Sequence, residues 1–411
     1  MNTTKKEISL GLLLAAPIIA FPFGSAYAPF YALIILAAFF IKKTPSALNE
    51  HKALQYATLA LALPILITAF YLLFQGSAAV PDSLKKFALF AASGLLAFSV
   101  AALTQSARTR AIAAAAISIT IAFWIFDGLI QFILGKDLFG IAPPSNQRIS
   151  AFFDTPTRYG YFIGFFTALP VFWLLSKDKV GLAVLCLVGG GIVSLSGGSR
   201  FGMIGYILLI AVFVLVLARR LGRNQQILLY TLTPITLIAA GVALYAFSPS
   251  FTKRIDDTLI IMQGVDRNTL NLMLTYRLEI WEPLFILVKQ HWLFGIGVDQ
   301  LEHAIAPHLA ADSWFVKGNI PVMHAHQVFL EVLAATGIIG FVAFTCYYGW
   351  HCIAMIRNWS HASTFGWGCL LVFALMWFPV GSHKDIYSSV QALLSFYLLG
   401  LGFGFLRNDA Q

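Results

Sequence analysis

Apolar and polar positions alternate along this chain on a scale much longer than a helical turn. Runs of about twenty apolar residues recur from end to end, separated by short polar stretches, and about twenty residues is what a helix needs to cross a hydrocarbon layer roughly 30 Å thick. The runs predict about twelve transmembrane helices, near 8–23, 26–41, 54–74, 87–104, 111–134, 159–175, 180–195, 201–218, 225–247, 327–350, 363–380 and 387–406. The first two lie close enough together to form one re-entrant pair. The run near 8–23 has lysines before it and no small-residue cleavage site, so it reads as a span rather than a removed signal peptide. The predicted fold class is an all-α polytopic membrane protein.

One stretch breaks the rhythm. Residues 248–326 form a long polar insert from "SPSFTKRIDD" to "MHAHQ". Inside it, "TLNLMLTYRLEIWEPLFILVKQHWLFGIG" is apolar yet carries Arg277, Glu279, Glu282, Pro283 and Lys289. A charge at mid-bilayer costs roughly 2.5–3.5 kcal/mol on insertion scales, so this segment is expected to lie at the interface or roof a cavity. The alternative, a thirteenth span, would flip the last three helices. The chain thus divides into residues 1–247 with spans one to nine, the loop 248–326 with its interfacial helix, and residues 327–411 with spans ten to twelve.

Composition agrees with this picture. The chain is 59% hydrophobic and 11% charged, whereas a soluble domain carries roughly 25% charged residues. The net charge of +9 is scattered over short loops, which excludes a nucleic-acid-binding block. It gives an orientation instead. Lys5/Lys6, Lys42/Lys43, Arg108/Arg110, Lys177/Lys179, Arg219/Arg220/Arg223, Arg357 and Arg407 fall on one side, which the positive-inside rule makes cytoplasmic, with both termini. Lys85 and Lys86 are exceptions on the outer side. Cys186, Cys346, Cys352 and Cys369 all lie within or at the ends of apolar runs without CxxC spacing, so neither a disulfide framework nor a zinc site is indicated.

The outer side collects the candidate chemistry. Arg200 closes "SLSGGSR" at a helix boundary, where serines and glycines permit a tight turn with N–H groups suited to an oxyanion; a snorkelling arginine is the plainer alternative. Arg277, in "TYRLEIW", presents a guanidinium fork that matches phosphate oxygens, or else pairs with Glu279 or Glu282 on its own helix. "NQRISAFFDTPTRYGYF" adds Arg148, Asp154 and Arg158. Asp154 and Asp299 are isolated carboxylates, so no metal site is expected. His324 and His326 stand two apart before a membrane run, a spacing unlike the i, i+4 pair of HExxH metal sites. One positioned imidazole there suits a general base or hydrogen-bond donor; helix capping is the alternative. His291, His303, His308, His351 and His361 read as structural or solvated.

At these residues the sequence resembles the O-antigen ligase family, membrane glycosyltransferases related to Wzy polymerases and O-oligosaccharyltransferases. The resemblance rests on "SGGSRFGMIGY", on "YRLEIW" leading into "HWLFGIGVDQ", and on "HAHQVFLEVLAATGIIG", in that order. It implies a GT-C-like fold, a periplasmic active site in a bacterial inner membrane, Arg277 and Arg200 as essential arginines, and His326 or His324 as the essential histidine. Gln327 stands where the family usually has Asn. Arg158, Arg148, Gln327, Glu331 and Lys317 are further substrate-binding candidates. The implied reaction needs no cofactor or metal: polysaccharide passes with inversion from undecaprenyl pyrophosphate to a sugar hydroxyl of lipid A-core. A Wzy-type polymerase differs only in its acceptor. The chain's end after the last span favours a ligase over an oligosaccharyltransferase. A secondary transporter would place ionisable groups and related halves at mid-membrane, and Asp127 is one of few such groups here.

Overall fold

The computed structural model describes residues 3–40, 52–144, 148–247, 251–253, 255–256, 259, 266–362, 364–379 and 385–409. Lys42 and Lys43 of the orientation argument lie outside them, as does part of the start of the polar insert. Apolar runs fold as helices because hydrocarbon offers no partner to backbone N–H and C=O groups. No strand occurs among the described residues. In chain order the helices are α1 (Thr3–Ala20), α2 (Ala28–Phe39), α3 (Lys52–Phe74), α4 (Val80–Leu103), α5 (Ala107–Leu134), α6 (Pro156–Phe166), α7 (Ala168–Leu175), α8 (Val180–Gly197) and α9 (Arg200–Ala218). They continue as α10 (Arg223–Phe247), α11 (Arg267–Met273), α12 (Arg277–Gln290), α13 (Leu301–Ile305), α14 (Trp314–Lys317), α15 (Val328–Arg357), α16 (Phe365–Met376) and α17 (Ser389–Asp409).

Among the described residues, nine helical stretches are long and apolar enough to cross a membrane: α3, α4, α5, α6 with α7, α8, α9, α10, α15 and α17. The other three predicted spans are also helical but differ in kind. α1 opens on Lys5, Lys6 and Glu7, while α2 and α16 have 12 residues each. Twelve residues rise only about 18 Å.

One hydrophobic core runs through these helices, with α4 packed on α3 and α17, α1 on α5, and α6 on α8 and α9. At the α6 contact, small residues let backbones touch. A Cβ on Gly164 would fall 2.5 Å from the Gly202 carbonyl oxygen, and one on Gly202 would fall 2.6 Å from that of Gly160. This contact fixes the turn between α8 and α9.

The insert has a smaller core of its own. Ile280, Leu284 and Leu287 of α12 meet Leu301, Ile305, Phe315 and Val322, and the cluster closes on Leu330 and Ala334 of α15. With 14 residues, about 21 Å of rise, and its charges retained, α12 is not among the helices fit to span.

The element that joins insert and spans is α15. The sequence pattern predicts an unbroken helix from 327 to 350, but Gly337 interrupts it with φ 63° and ψ −165°. The backbone groups released there are taken by the strap "HWLFGIG", residues 291–297. Ile296 N–H donates to Ala334 C=O (2.9 Å), Gly297 N–H to Ala335 C=O (3.1 Å), and Ile338 N–H to Trp292 C=O (2.8 Å). Thr68 of α3 donates to Phe294 C=O at 2.8 Å, and Tyr71 stacks on the Phe294 ring. Non-helical backbone beside a membrane helix is tolerated when protein satisfies it, and here the strap does so.

Cross-links sort the loops into two ends. At one end Ser106 bonds Glu7 (2.5 Å), Arg220 pairs with Asp178 (2.9 Å), and Arg219 lies over Trp359. The other end holds the candidate residues.

Candidate active site

The turn before Arg200 is built by caps. Gly198 is left-handed (φ 71°) at the end of α8, and the Ser199 hydroxyl accepts the Gly202 N–H at the start of α9. Arg148 braces this turn from behind, donating from Nε (3.0 Å) and from one terminal nitrogen (2.6 Å) to Gly197 C=O, and to the Thr157 hydroxyl (2.9 Å). Burial pushes its guanidinium below the usual arginine range. Arg200 itself is exposed at the first position of α9.

Arg277 opens α12 behind two left-handed residues, Thr275 (φ 57°) and Tyr276 (φ 60°). Neither acidic neighbour pairs with it. Glu279 accepts from Asn271 Nδ2 (2.6 Å), the Ser313 hydroxyl (2.6 Å) and Trp314 N–H (2.9 Å), and Glu282 pairs with Arg267. Arg277 therefore has no carboxylate partner among the described residues. Burial first, and then the Arg200 guanidinium, push it below the usual arginine range. An arginine stays charged through such a shift. The structure thus gathers two like charges from segments far apart in sequence.

The histidines belong to the same neighbourhood. Trp281, one turn along α12 from Arg277, donates its indole N–H to Ala325 C=O at 2.9 Å. His326 takes a left-handed conformation (φ 54°), rare for a side-chain-bearing residue. Its ring centroid lies 3.8 Å from that of His324. Its backbone N–H donates to His324 Nδ1 at 3.3 Å, which leaves the neutral His324 ring with its proton on Nε2. Gln327 caps α15: its Oε1 accepts Leu330 N–H, and its Nε2 donates to Pro379 C=O (2.9 Å). The carboxylate of Glu331 turns inwards and accepts Ala325 N–H.

Below the histidines lies a set of acids. Asp385 accepts Tyr387 N–H (2.8 Å), and together with Asp299 it acts electrostatically on Glu331. Lys86 pairs with Asp299 (3.0 Å) and donates to Tyr387 C=O (3.1 Å). Lys85 pairs with Asp82 (3.0 Å). Both lysines that the orientation argument left as exceptions are thus matched by acids in the fold.

The remaining candidates sit elsewhere. Arg158 is buried, paired with Asp154 (3.0 Å), donating to Phe21 C=O (2.9 Å) and lying over the Phe21 ring. That ties α1 to α6. Lys317 is exposed at the end of α14, which Glu279 anchors to α12. Asp127 accepts Leu138 N–H (2.9 Å), closing the loop after α5. Trp281, Asp385 and the glycines of the strap were missed by the sequence reading. The only advance sign was the repeated glycine in "FGIG" and "ATG" inside apolar runs.

Fold and site together define a polytopic helical membrane protein with a cationic, imidazole-bearing site at one end of its helices. Residues 182–345, which carry Arg200, Arg277, His324 and His326, match the O-antigen ligase family model. No curated protein matches the chain.

Proposed function

We propose that the protein is an O-antigen ligase of the bacterial inner membrane, with its site facing the periplasm. It transfers polysaccharide from undecaprenyl pyrophosphate to a sugar hydroxyl of lipid A-core, with inversion and without a metal. The observation that carries this reading is Arg277, half-buried beside Arg200 and without a carboxylate partner. A guanidinium with no carboxylate partner among the described residues, set beside a second one, suits a pyrophosphate headgroup. They stabilise the charge that grows on it as the sugar–phosphate bond breaks.

The histidine geometry divides the remaining roles. His324 already accepts a hydrogen bond at Nδ1 from His326 N–H, so its proton sits on Nε2, where it donates to and orients a substrate oxygen. His326 is the base that takes the proton of the attacking hydroxyl. Gln327 and Arg148 support this site rather than touch substrate, and Arg158 serves α1 and α6. Lys317, exposed on the roofing insert, meets the glycan or headgroup from above.

The test is transfer in vesicles holding only this protein, lipid-linked donor and lipid A-core, in EDTA. Wild type should give ligated product. Arg277→Ala should lose about 10²–10³-fold in rate, and His326→Ala about 10²–10⁴-fold, with His324→Ala less affected. Lengthening of the lipid-linked donor instead would identify a polymerase. Neither product would refute transfer altogether.

A further inference from the structure

Ala325, the residue between the two histidines, is held on both faces of its backbone. Its N–H donates to the Glu331 carboxylate, and its C=O accepts the Trp281 indole N–H at 2.9 Å. Ala325 is wholly buried and Glu331 is 7% exposed. Glu331 therefore sits behind the turn and does not meet a substrate arriving from the open side, which departs from its expected role as a substrate ligand. Its first turn of α15 is itself pinned, because Glu331 N–H donates to Gln327 C=O (2.9 Å) and Gln327 reaches Pro379.

The grip has a conformational consequence. A histidine at φ 54° is not where a free chain would settle, and such a conformation persists only when its surroundings over-determine it. The Trp281 bond holds the Ala325–His326 peptide and the Glu331 bond holds the His324–Ala325 peptide before it, so together they fix the backbone that leads into His326 and from which its ring projects.

We propose that Glu331 and Trp281 are positioning residues that hold His326 in its base-competent orientation through the two peptide units flanking Ala325. This rests on His326 being the base, as argued above. Groups facing Glu331 are the Ala325 N–H from the histidine turn, Asp385 from the segment before α17, and Asp299 from the insert, the last neutralised by Lys86 of α4. None of these contacts involves substrate, so the effect of either residue runs through His326.

Non-additivity tests this directly, because residues acting as a unit lose their effects together. In the vesicle assay, Glu331→Ala should lower kcat at least tenfold with donor and acceptor KM within twofold. Glu331→Gln, which keeps an acceptor oxygen, should recover most of it. Trp281→Phe keeps an aromatic ring in place while removing the N–H donor and part of the indole's bulk, and should lower kcat about threefold to tenfold; it decides the matter if Glu331→Ala does not fold. Neither change should slow His326→Ala further. Multiplicative losses on the His326→Ala background would overturn the proposal, as would raised KM at unchanged kcat. If His326→Ala keeps wild-type kcat, the base assignment fails rather than the grip alone.

Discussion

Asp385 carries a pH signature that a sequence cannot display. Its carboxyl is pushed up to about 6, first by burial; Tyr387 N–H and Lys86 pull it down, and Asp299 pushes it up. An acid whose folded pKa exceeds its ordinary value of about 3.9 favours the fold when protonated. That contribution is full below about pH 4 and fades as pH rises through about 6. The thermal midpoint of the purified protein in detergent should therefore rise as pH falls from 7.5 to 5.5, and Asp385→Asn should flatten that slope. An unchanged slope in the variant would assign the effect to another group. At this scale legibility was uneven. Arg200, Arg277 and the histidine pair stood out because charge at a helix mouth needs a reason, and the structure brings them together. Arg148 and Arg158 looked the same on paper, yet they bind carbonyls at Gly197 and Phe21. A guanidinium shows its charge in a sequence but not its direction.

At the scale of elements, each of the twelve predicted runs falls on a helix, and among the described residues nine helical stretches are long and apolar enough to cross a membrane, because crossing lipid imposes run length. What it could not show is a contact between runs. The break in α15 at Gly337 depends on a strap about forty residues earlier, and neither segment announces the other. Gly337→Ala tests the joint. Its Cβ would lie 2.3 Å from the Leu293 carbonyl carbon and oxygen and 2.5 Å from Phe294 N, at a positive φ. Backbone cannot move aside as a side chain does, so the change should cost roughly 2–5 kcal/mol. Gly349→Ala in the same helix meets nothing within 4 Å and should be neutral or mildly stabilising. Thermal midpoints in detergent compare the two, and equal midpoints would show that the strap is not tightly seated.

For the whole molecule the open question of sidedness has a direct answer by labelling. The basic loops share one end and the candidate site the other, so one reporter at each end is enough. With Cys186, Cys346, Cys352 and Cys369 replaced, Lys317→Cys should react with an impermeant maleimide on intact inner-membrane vesicles of native orientation. Arg223→Cys should react only after permeabilisation. The reverse pattern would put the arginines and histidines on the cytoplasmic side and remove the basis for a periplasmic donor.

The strap threaded into α15 also sets an order of assembly. Residues 291–297 leave the ribosome before the helix they complete, so the joint closes only once Ala334, Ala335 and Ile338 follow. The insert thus completes the span that follows it. Deleting residues 291–297 would leave Ala334, Ala335 and Ile338 without these backbone partners, so the strap and the span it completes are expected to be kept or lost together.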